Sequence, residues 1–155
     1  MDFEALAFAA RAAFTLSEPS ISMSPSADSP VLVRVPVWMW IGTEDWQEET
    51  ATATVPGGSV TVTATPSSTS WSMGDGTTAD CEGAGTAYDP QEHDPAEESP
   101  DCGHTYTLIG THDLTASLSW DVEWSSSDGE SGTLPALVTE TSTSVRVVES
   151  SGVVT

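Results

Sequence analysis

Hydrophobic and polar residues alternate through most of the chain, but the first residues follow a different period. An apolar stripe recurs there at intervals of three and four residues, the spacing of one helix face, at Phe3, Leu6, Ala7, Ala10 and Phe14. Asp2 stands where a side-chain oxygen can cap the first turn. The pattern predicts one short helix whose stripe packs on the domain, or on a neighbouring part of a longer protein, rather than in a membrane.

Beyond Phe14 the dominant period is two, as in strands with one buried face. A Ser- and Pro-rich stretch, residues 16–30, is expected to be a linker with a short edge strand. Five segments then read as strands: Val31 to Ile41, apolar on both faces, Thr50 to Val55, Ser59 to Thr65, His112 to Trp124, and Thr139 to Val148. Many strands with Gly, Pro and Ser turns and almost no helix predict an antiparallel all-β sandwich.

A turn follows the segment Trp71-Ser72-Met73. Gly74-Asp75-Gly76 supplies a residue free to take positive φ, a short carboxylate that can accept local backbone N–H bonds, and a second flexible link. Trp71 and Met73 lie two apart and therefore share one face of the strand. We expect a strand entering a tight, self-capped turn, with Asp75 acting first as its cap.

Charge excludes several classes of function. The formal net charge is −21 in a chain of 155 residues with no Lys and three Arg. Phosphate backbones and anionic lipid surfaces would be repelled, and no Lys is present for a Walker-type phosphate loop. The longest apolar run after the helix, residues 35–41, is too short to span a bilayer. The predicted partners therefore include no nucleic acid, no nucleotide and no direct membrane insertion.

Two cysteines, Cys81 and Cys102, flank a segment rich in Pro, Gly and acidic residues, which lacks a regular period between Ala79 and Gly103. A disulfide is the favoured interpretation, because it would order this loop, and it implies an oxidising compartment. Free thiols and a half-built metal site are the alternatives. Residues 1–14 begin with acidic residues and resemble no export signal, so we expect the sequence to belong to a longer exported protein.

Three motifs in this order resemble the PKD domain, an immunoglobulin-like β-sandwich of extracellular proteins. They are Trp-x-Met-Gly-Asp-Gly at residues 71–76, His-x-Tyr at 104–106 and Gly-x-His-x-Leu at 110–114, where the family usually has Phe, and later Tyr, in place of Met73 and His112. The Cys after the turn and the segment Pro100 to Tyr106 are similar to secreted PKD-like proteins of actinobacteria. The resemblance covers about residues 51–148.

This resemblance implies an extracellular or cell-surface module for spacing, adhesion or contact with a protein or glycan, with no catalytic residue. Its expected fold-signature residues are Trp71, Gly74, Asp75, Gly76, His104, Tyr106 and Gly110. The expected layout is a helix and linker over 1–30, the sandwich over 31–150 with its loop at 79–103, and a tail over 151–155. Alternatives are a subunit of a surface or pilus-like assembly and, from another class, a hydrolase using Asp75, His104 and nearby carboxylates.

Two further candidate sites come from the residues themselves. A calcium-stabilised loop is one, since hard cations need several converging oxygen ligands, and the acidic loop offers Asp89, Glu92, Asp94, Glu97, Glu98 and Asp101. No other cofactor is indicated. The second is an aromatic contact patch, since exposed Trp side chains stack on sugars or fill partner pockets, formed by Trp38, Trp40 and Trp46. Trp71, Trp120 and Trp124 fall at inward positions and are expected in the core.

Overall fold

The computed structural model describes residues 2–149, and the tail predicted over 151–155 lies outside them. One helix, α1 (Phe3–Ala13), begins at Asp2, whose Oδ1 accepts the backbone N–H of Ala5 at 3.0 Å. Nine strands follow: β1 (Ile21–Ser24), β2 (Val31–Leu32), β3 (Pro36–Ile41), β4 (Glu49–Val55), β5 (Gly58–Ser72), β6 (Thr78–Cys81), β7 (Gly103–Thr105), β8 (Gly110–Ser126) and β9 (Ser131–Val148). The β-rich class and the short N-terminal helix are confirmed.

The strands form two sheets. The larger has the order β2-β9-β8-β5-β4, with β6 also paired to β5, and the smaller has the order β1-β3-β7. Neighbouring strands are antiparallel except for β2 and β9, which pair in parallel over two residues. The long strands β5, β8 and β9 give the larger sheet more length than the smaller sheet can cover.

One face of the larger sheet is largely apolar along β5 and β8. On β8 the buried residues occupy every second position from His112 to Trp124. On β5 the register shifts between Pro66 and Ser68, so Val60 before the irregularity and Trp71 after it point to the same face despite their different parity. The bulge therefore keeps one continuous buried surface.

Two clusters cover this surface. At one end, side chains of the smaller sheet, including Val37, Met39 and Ile41, pack with Trp71 and Leu114 of the larger sheet and with Met73, which follows β5. At the other end, α1 packs on Val62, Trp120 and Trp124, among others. Trp46 lies against both clusters. The helix therefore covers the end of the larger sheet that the smaller sheet does not reach.

The apolar stripe of α1 packs on its own domain, as expected. Phe3 is 6% exposed and Ala7 fully buried, and Leu6, Ala10 and Phe14 pack against the same cluster. The stripe is consequently unavailable for an assembly contact. Arg11 extends from the helix to β9, where its Nε and Nη2 donate to the carbonyls of Pro135 and Ala136 at 2.7 and 2.8 Å.

Two sequence-based boundaries were wrong. Val31 to Ile41 is not one strand, because Arg34 adopts a φ of 66° and the chain passes from the larger sheet into the smaller one there. The loop is shorter than residues 79–103, because β6 and β7 pair at its two ends and leave residues 82–102 irregular. Within residues 2–149 no helix has the length and apolar character needed to cross a bilayer.

Candidate functional site

The Gly-Asp-Gly turn is closed by its own groups. The N–H of Met73 donates to the carbonyl of Thr77 at 3.0 Å, and Asp75 Oδ1 accepts both the Thr77 N–H, at 3.0 Å, and the Thr77 hydroxyl. Gly74 and Gly76 have φ values of 82° and 90°, a region that favours glycine. Asp75 therefore caps the turn, as the sequence predicted.

A second contact ties this turn to β7. His104 Nε2 lies 2.8 Å from Asp75 Oδ2 and 3.4 Å from the Thr77 hydroxyl. The two side chains are largely shielded, with exposed fractions of 17% for His104 and 7% for Asp75. The structure thus brings the first two motifs of the resemblance together, although 29 residues separate the pair in the chain.

Tyr106 lies beneath this pair, between two histidine rings. Its ring meets His104 edge-on at 4.8 Å and stacks on His112 at 5.0 Å. Its buried hydroxyl donates to the carbonyl of Met73 at 2.8 Å. His112 is also held, with Nε2 2.9 Å from the carbonyl oxygen of Leu108. All three motifs therefore meet at one end of the larger sheet.

The environment shifts two pKa values. Burial opposes the ionisation of Asp75, but hydrogen bonds from the Thr77 hydroxyl, His104 and the Thr77 N–H outweigh it and lower the pKa of Asp75 to about 2. Burial, assisted by the nearby Asp75 charge, raises the pKa of the Tyr106 hydroxyl to about 12. Asp75 is thus an anion and Tyr106 a neutral donor across the physiological range.

The geometry differs from that of a nucleophilic triad. In a triad the carboxylate and the nucleophile contact opposite nitrogens of the histidine, which can then pass a proton between them. Here Asp75 and the Thr77 hydroxyl both approach Nε2 of His104. Asp75 also accepts two bonds from its own turn. This arrangement supports a structural role for the two side chains.

We expect Asp75 to stabilise the fold most above pH 4 and to lose that contribution in acid. Because its pKa is depressed in the folded state, the stabilisation is complete above the unfolded value near 3.8 and disappears as the pH falls through about 2. The difference corresponds to on the order of 2 kcal/mol. Urea unfolding of wild type and Asp75→Asn between pH 5 and pH 2 should show their stabilities converging as the pH falls.

The control for this titration is Asp121→Asn, since Asp121 is exposed on the opposite face of the larger sheet. This substitution removes an equal charge without touching the turn, so its difference from wild type should stay nearly constant with pH. A difference for Asp75→Asn that is equally flat would show that the contacts of Asp75 do not stabilise its anion.

The second candidate region is the loop at residues 82–102. Cys81 and Cys102 form a disulfide, which confirms the prediction and indicates an oxidising compartment. The loop also adds backbone bonds to β3, since the N–H groups of Met39 and Ile41 donate to the carbonyls of Cys102 and Ala84 at 3.1 and 2.8 Å. The loop is therefore bound along the smaller sheet as well as closed by the disulfide.

Trp38 anchors the middle of this loop. Its ring centroid lies 4.5 Å from that of His93 and 5.2 Å from that of Tyr88, and its Nε1 donates to the carbonyl of Glu97 at 2.8 Å. The hydroxyl of Tyr88 donates to the carbonyl of His93, and the N–H of Asp89 donates to His93 Nδ1. Sequence reasoning missed Tyr88 and His93, whose aromatic rings in a polar, acidic segment were the available signal.

The calcium hypothesis gains no support from the loop. Asp89 and Asp94 accept backbone N–H groups two residues ahead, and Glu97 Oε1 accepts the N–H of Asp94. Asp101 accepts from the hydroxyls of Thr86 and Ser99. Within residues 2–149 no three His, Cys, Asp or Glu side chains are grouped as a metal would require. These carboxylates order their own turns instead of converging on one point.

The predicted aromatic patch is wrong for Trp38, which is 1% exposed because the loop covers it. Trp40 is partly buried, and Trp46 packs against the two clusters of the core. Trp71, Trp120 and Trp124 are buried, as expected. A contact surface of three exposed indoles therefore does not exist on this fold.

No protein-family model, curated protein or solved structure matches the chain. A functional assignment consequently depends on the two regions just described. One is the network of Asp75, His104 and Tyr106, whose hydrogen bonds hold the fold together. The other is the loop at residues 82–102, which is tightly held and carries many charges.

Proposed function

We propose that the chain is a secreted or surface-attached, non-catalytic module with a PKD-like, immunoglobulin-type sandwich, and that its loop at residues 82–102 binds a basic surface of another protein. The meeting of Asp75, His104 and Tyr106 at one turn supports the PKD-like assignment. The network has the character of a fold signature, because the Asp75 carboxylate, His104 Nε2 and the Tyr106 hydroxyl all form hydrogen bonds within it. The disulfide supports an extracellular location.

The order imposed on the acidic loop is the observation that carries the binding proposal. The loop is held by a disulfide, by two backbone bonds to β3, by the ring contacts of Trp38 and by carboxylate-capped turns. A surface that is already ordered loses little conformational entropy on binding. A spacer would not need this reinforcement, whereas a recognition surface benefits from it.

The charge of the loop determines the kind of partner. Seven of the 24 acidic residues lie between Cys81 and Cys102, and this segment contains no Lys or Arg. The exposed side chains of Glu82, Glu92 and Glu98 form no hydrogen bond within residues 2–149, so their carboxylates are open to a partner. Complementary charge increases the rate of association and gives specificity, so a Lys- and Arg-rich protein surface fits better than a neutral glycan.

The test neutralises these three carboxylates without disturbing the caps. We expect the variant Glu82→Gln/Glu92→Gln/Glu98→Gln to bind the envelope protein fraction of the producing cells about tenfold more weakly than wild type, since each exposed ion pair contributes up to about 1 kcal/mol. Binding is measured with the oxidised domain immobilised, and the loss should shrink as salt is added.

The matched control is Asp121→Asn/Glu123→Gln/Glu140→Gln, which removes the same charge from the exposed face of the larger sheet. This variant should bind like wild type. If both variants lose affinity equally, the attraction is a general effect of net charge and the loop is not the binding surface. If neither variant loses affinity, the proposed function fails.

A further inference from the structure

The charge of this protein is unevenly distributed. Although the chain contains 24 acidic residues, none lies between Glu49 and Asp75, and this stretch also contains no Arg. It forms the hairpin of β4 and β5. It is the longest stretch of the sequence without an acidic residue, so local like-charge repulsion between two copies is weak at this hairpin.

The strand β4 forms one edge of the larger sheet. It pairs with β5 on one side, and among the described residues no strand pairs with its other side. At the opposite edge, the short strand β2 pairs with the last residues of β9, Arg11 binds the carbonyls of Pro135 and Ala136, and β9 carries the charged residues Glu140 and Arg146. An unpaired edge presents a row of backbone N–H and C=O groups that can pair with another strand.

The sequence of β4 is self-complementary. Thr50-Ala51-Thr52-Ala53-Thr54 reads identically in both directions, so an antiparallel copy centred on Thr52 places Thr opposite Thr and Ala opposite Ala. The same kind of cross-strand pair already exists inside the sheet, where the hydroxyls of Thr52 and Thr61 are 3.1 Å apart. In this register Glu49 faces Val55 of the second copy and meets no like charge.

We propose that two copies of this chain associate through β4, with a two-fold axis at Thr52 that joins their larger sheets into one. The contact is isologous and therefore closes at the dimer. Because each copy has a net charge of −21, long-range repulsion opposes association, and salt strengthens the dimer by screening it. The loop at 82–102 plays no part in this contact, so the proposal is independent of the proposed function.

The test is sedimentation equilibrium of the oxidised protein at low and high salt. We expect the dissociation constant of the dimer to fall at least tenfold between about 0.05 M and about 1 M NaCl, where the screening length drops from more than 10 Å to about 3 Å. Thr52→Glu should abolish the dimer, because it places two carboxylates opposite each other across the axis.

The matched control is Thr61→Glu, which adds the same charge one strand further from the edge, opposite Thr52. This variant should dimerise like wild type, and urea unfolding checks that both variants fold. The variant Glu82→Gln/Glu92→Gln/Glu98→Gln should also dimerise. A wild-type monomer at every salt concentration overturns the proposal, as does a Thr52→Glu dimer or an equal loss with Thr61→Glu.

Discussion

Replacing Gly74 by Ala is expected to lower the free energy of unfolding by about 3 kcal/mol, combining a backbone cost of about 1–2 kcal/mol at positive φ with an overpacking cost of similar size. Gly74 has a φ of 82°, and a Cβ there would lie 2.6 Å from both the backbone N and O of Asp113. These atoms belong to β8, where Asp113 pairs with Ser144 of β9, so they cannot move aside without disturbing the sheet. Urea unfolding at neutral pH measures the loss.

Gly76→Ala is the matched control for this substitution. Its φ of 90° imposes the same type of backbone cost, but a Cβ there meets no atom within 4 Å. The loss should therefore be about 1–2 kcal/mol, from the backbone alone. Equal losses for the two variants would contradict the close packing of the turn against β8. A larger loss at Gly74 would show that the first glycine of the motif is required for contact and not only for the turn.

The parts of the fold that could be predicted from the sequence are those marked by a local pattern of residues. From His112 to Trp124 the alternation is visible because one face of β8 is buried and the other is not. The helix can be predicted because only one apolar stripe of α1 packs against the sheet. The turn at Asp75 can be predicted because a Gly-Asp-Gly sequence has few other conformations in which its carboxylate accepts hydrogen bonds.

The parts that sequence reasoning missed depend on distant partners. Arg34 holds a left-handed conformation because its N–H donates to the carbonyl of Tyr106 at 2.8 Å, and nothing in the sequence around Arg34 indicates that contact. The burial of Trp38 is produced by Tyr88 and His93, about 50 residues away. An apolar run that is covered on both faces gives no indication of what covers it.

The acidic loop shows how one composition can support two interpretations. A run of carboxylates suggested a cation site, but Asp89 and Asp94 each precede a proline and cap the turn that follows. The Asp-Pro steps were present in the sequence and indicate turns independently of any ligand. The sequence shows that these carboxylates lie close together along the chain. It does not show whether they converge on one point or each accept hydrogen bonds from the local backbone.

Removing the disulfide is expected to cost about 3 kcal/mol of stability, because the bond closes a loop between residues 21 apart in sequence and so restricts the unfolded chain. The variant is Cys81→Ala/Cys102→Ala, which avoids placing polar groups at two buried positions. Urea unfolding compares it with the oxidised wild type. The folded loop should persist in native conditions, because Trp38, Tyr88 and β3 still hold it.

Reduced wild type separates the cross-link from the packing of the two side chains. The chain has two cysteines, so a reductant changes this bond and no other, and it should leave the Ala variant unaffected. If the cross-link accounts for the loss, reduced wild type and the Ala variant unfold at the same urea concentration. The entropic stabilisation by a cross-link assumes that the loop is free in the unfolded chain. A loss below about 1 kcal/mol in both proteins would therefore mean that the contacts of Trp38 already constrain the loop in the unfolded state.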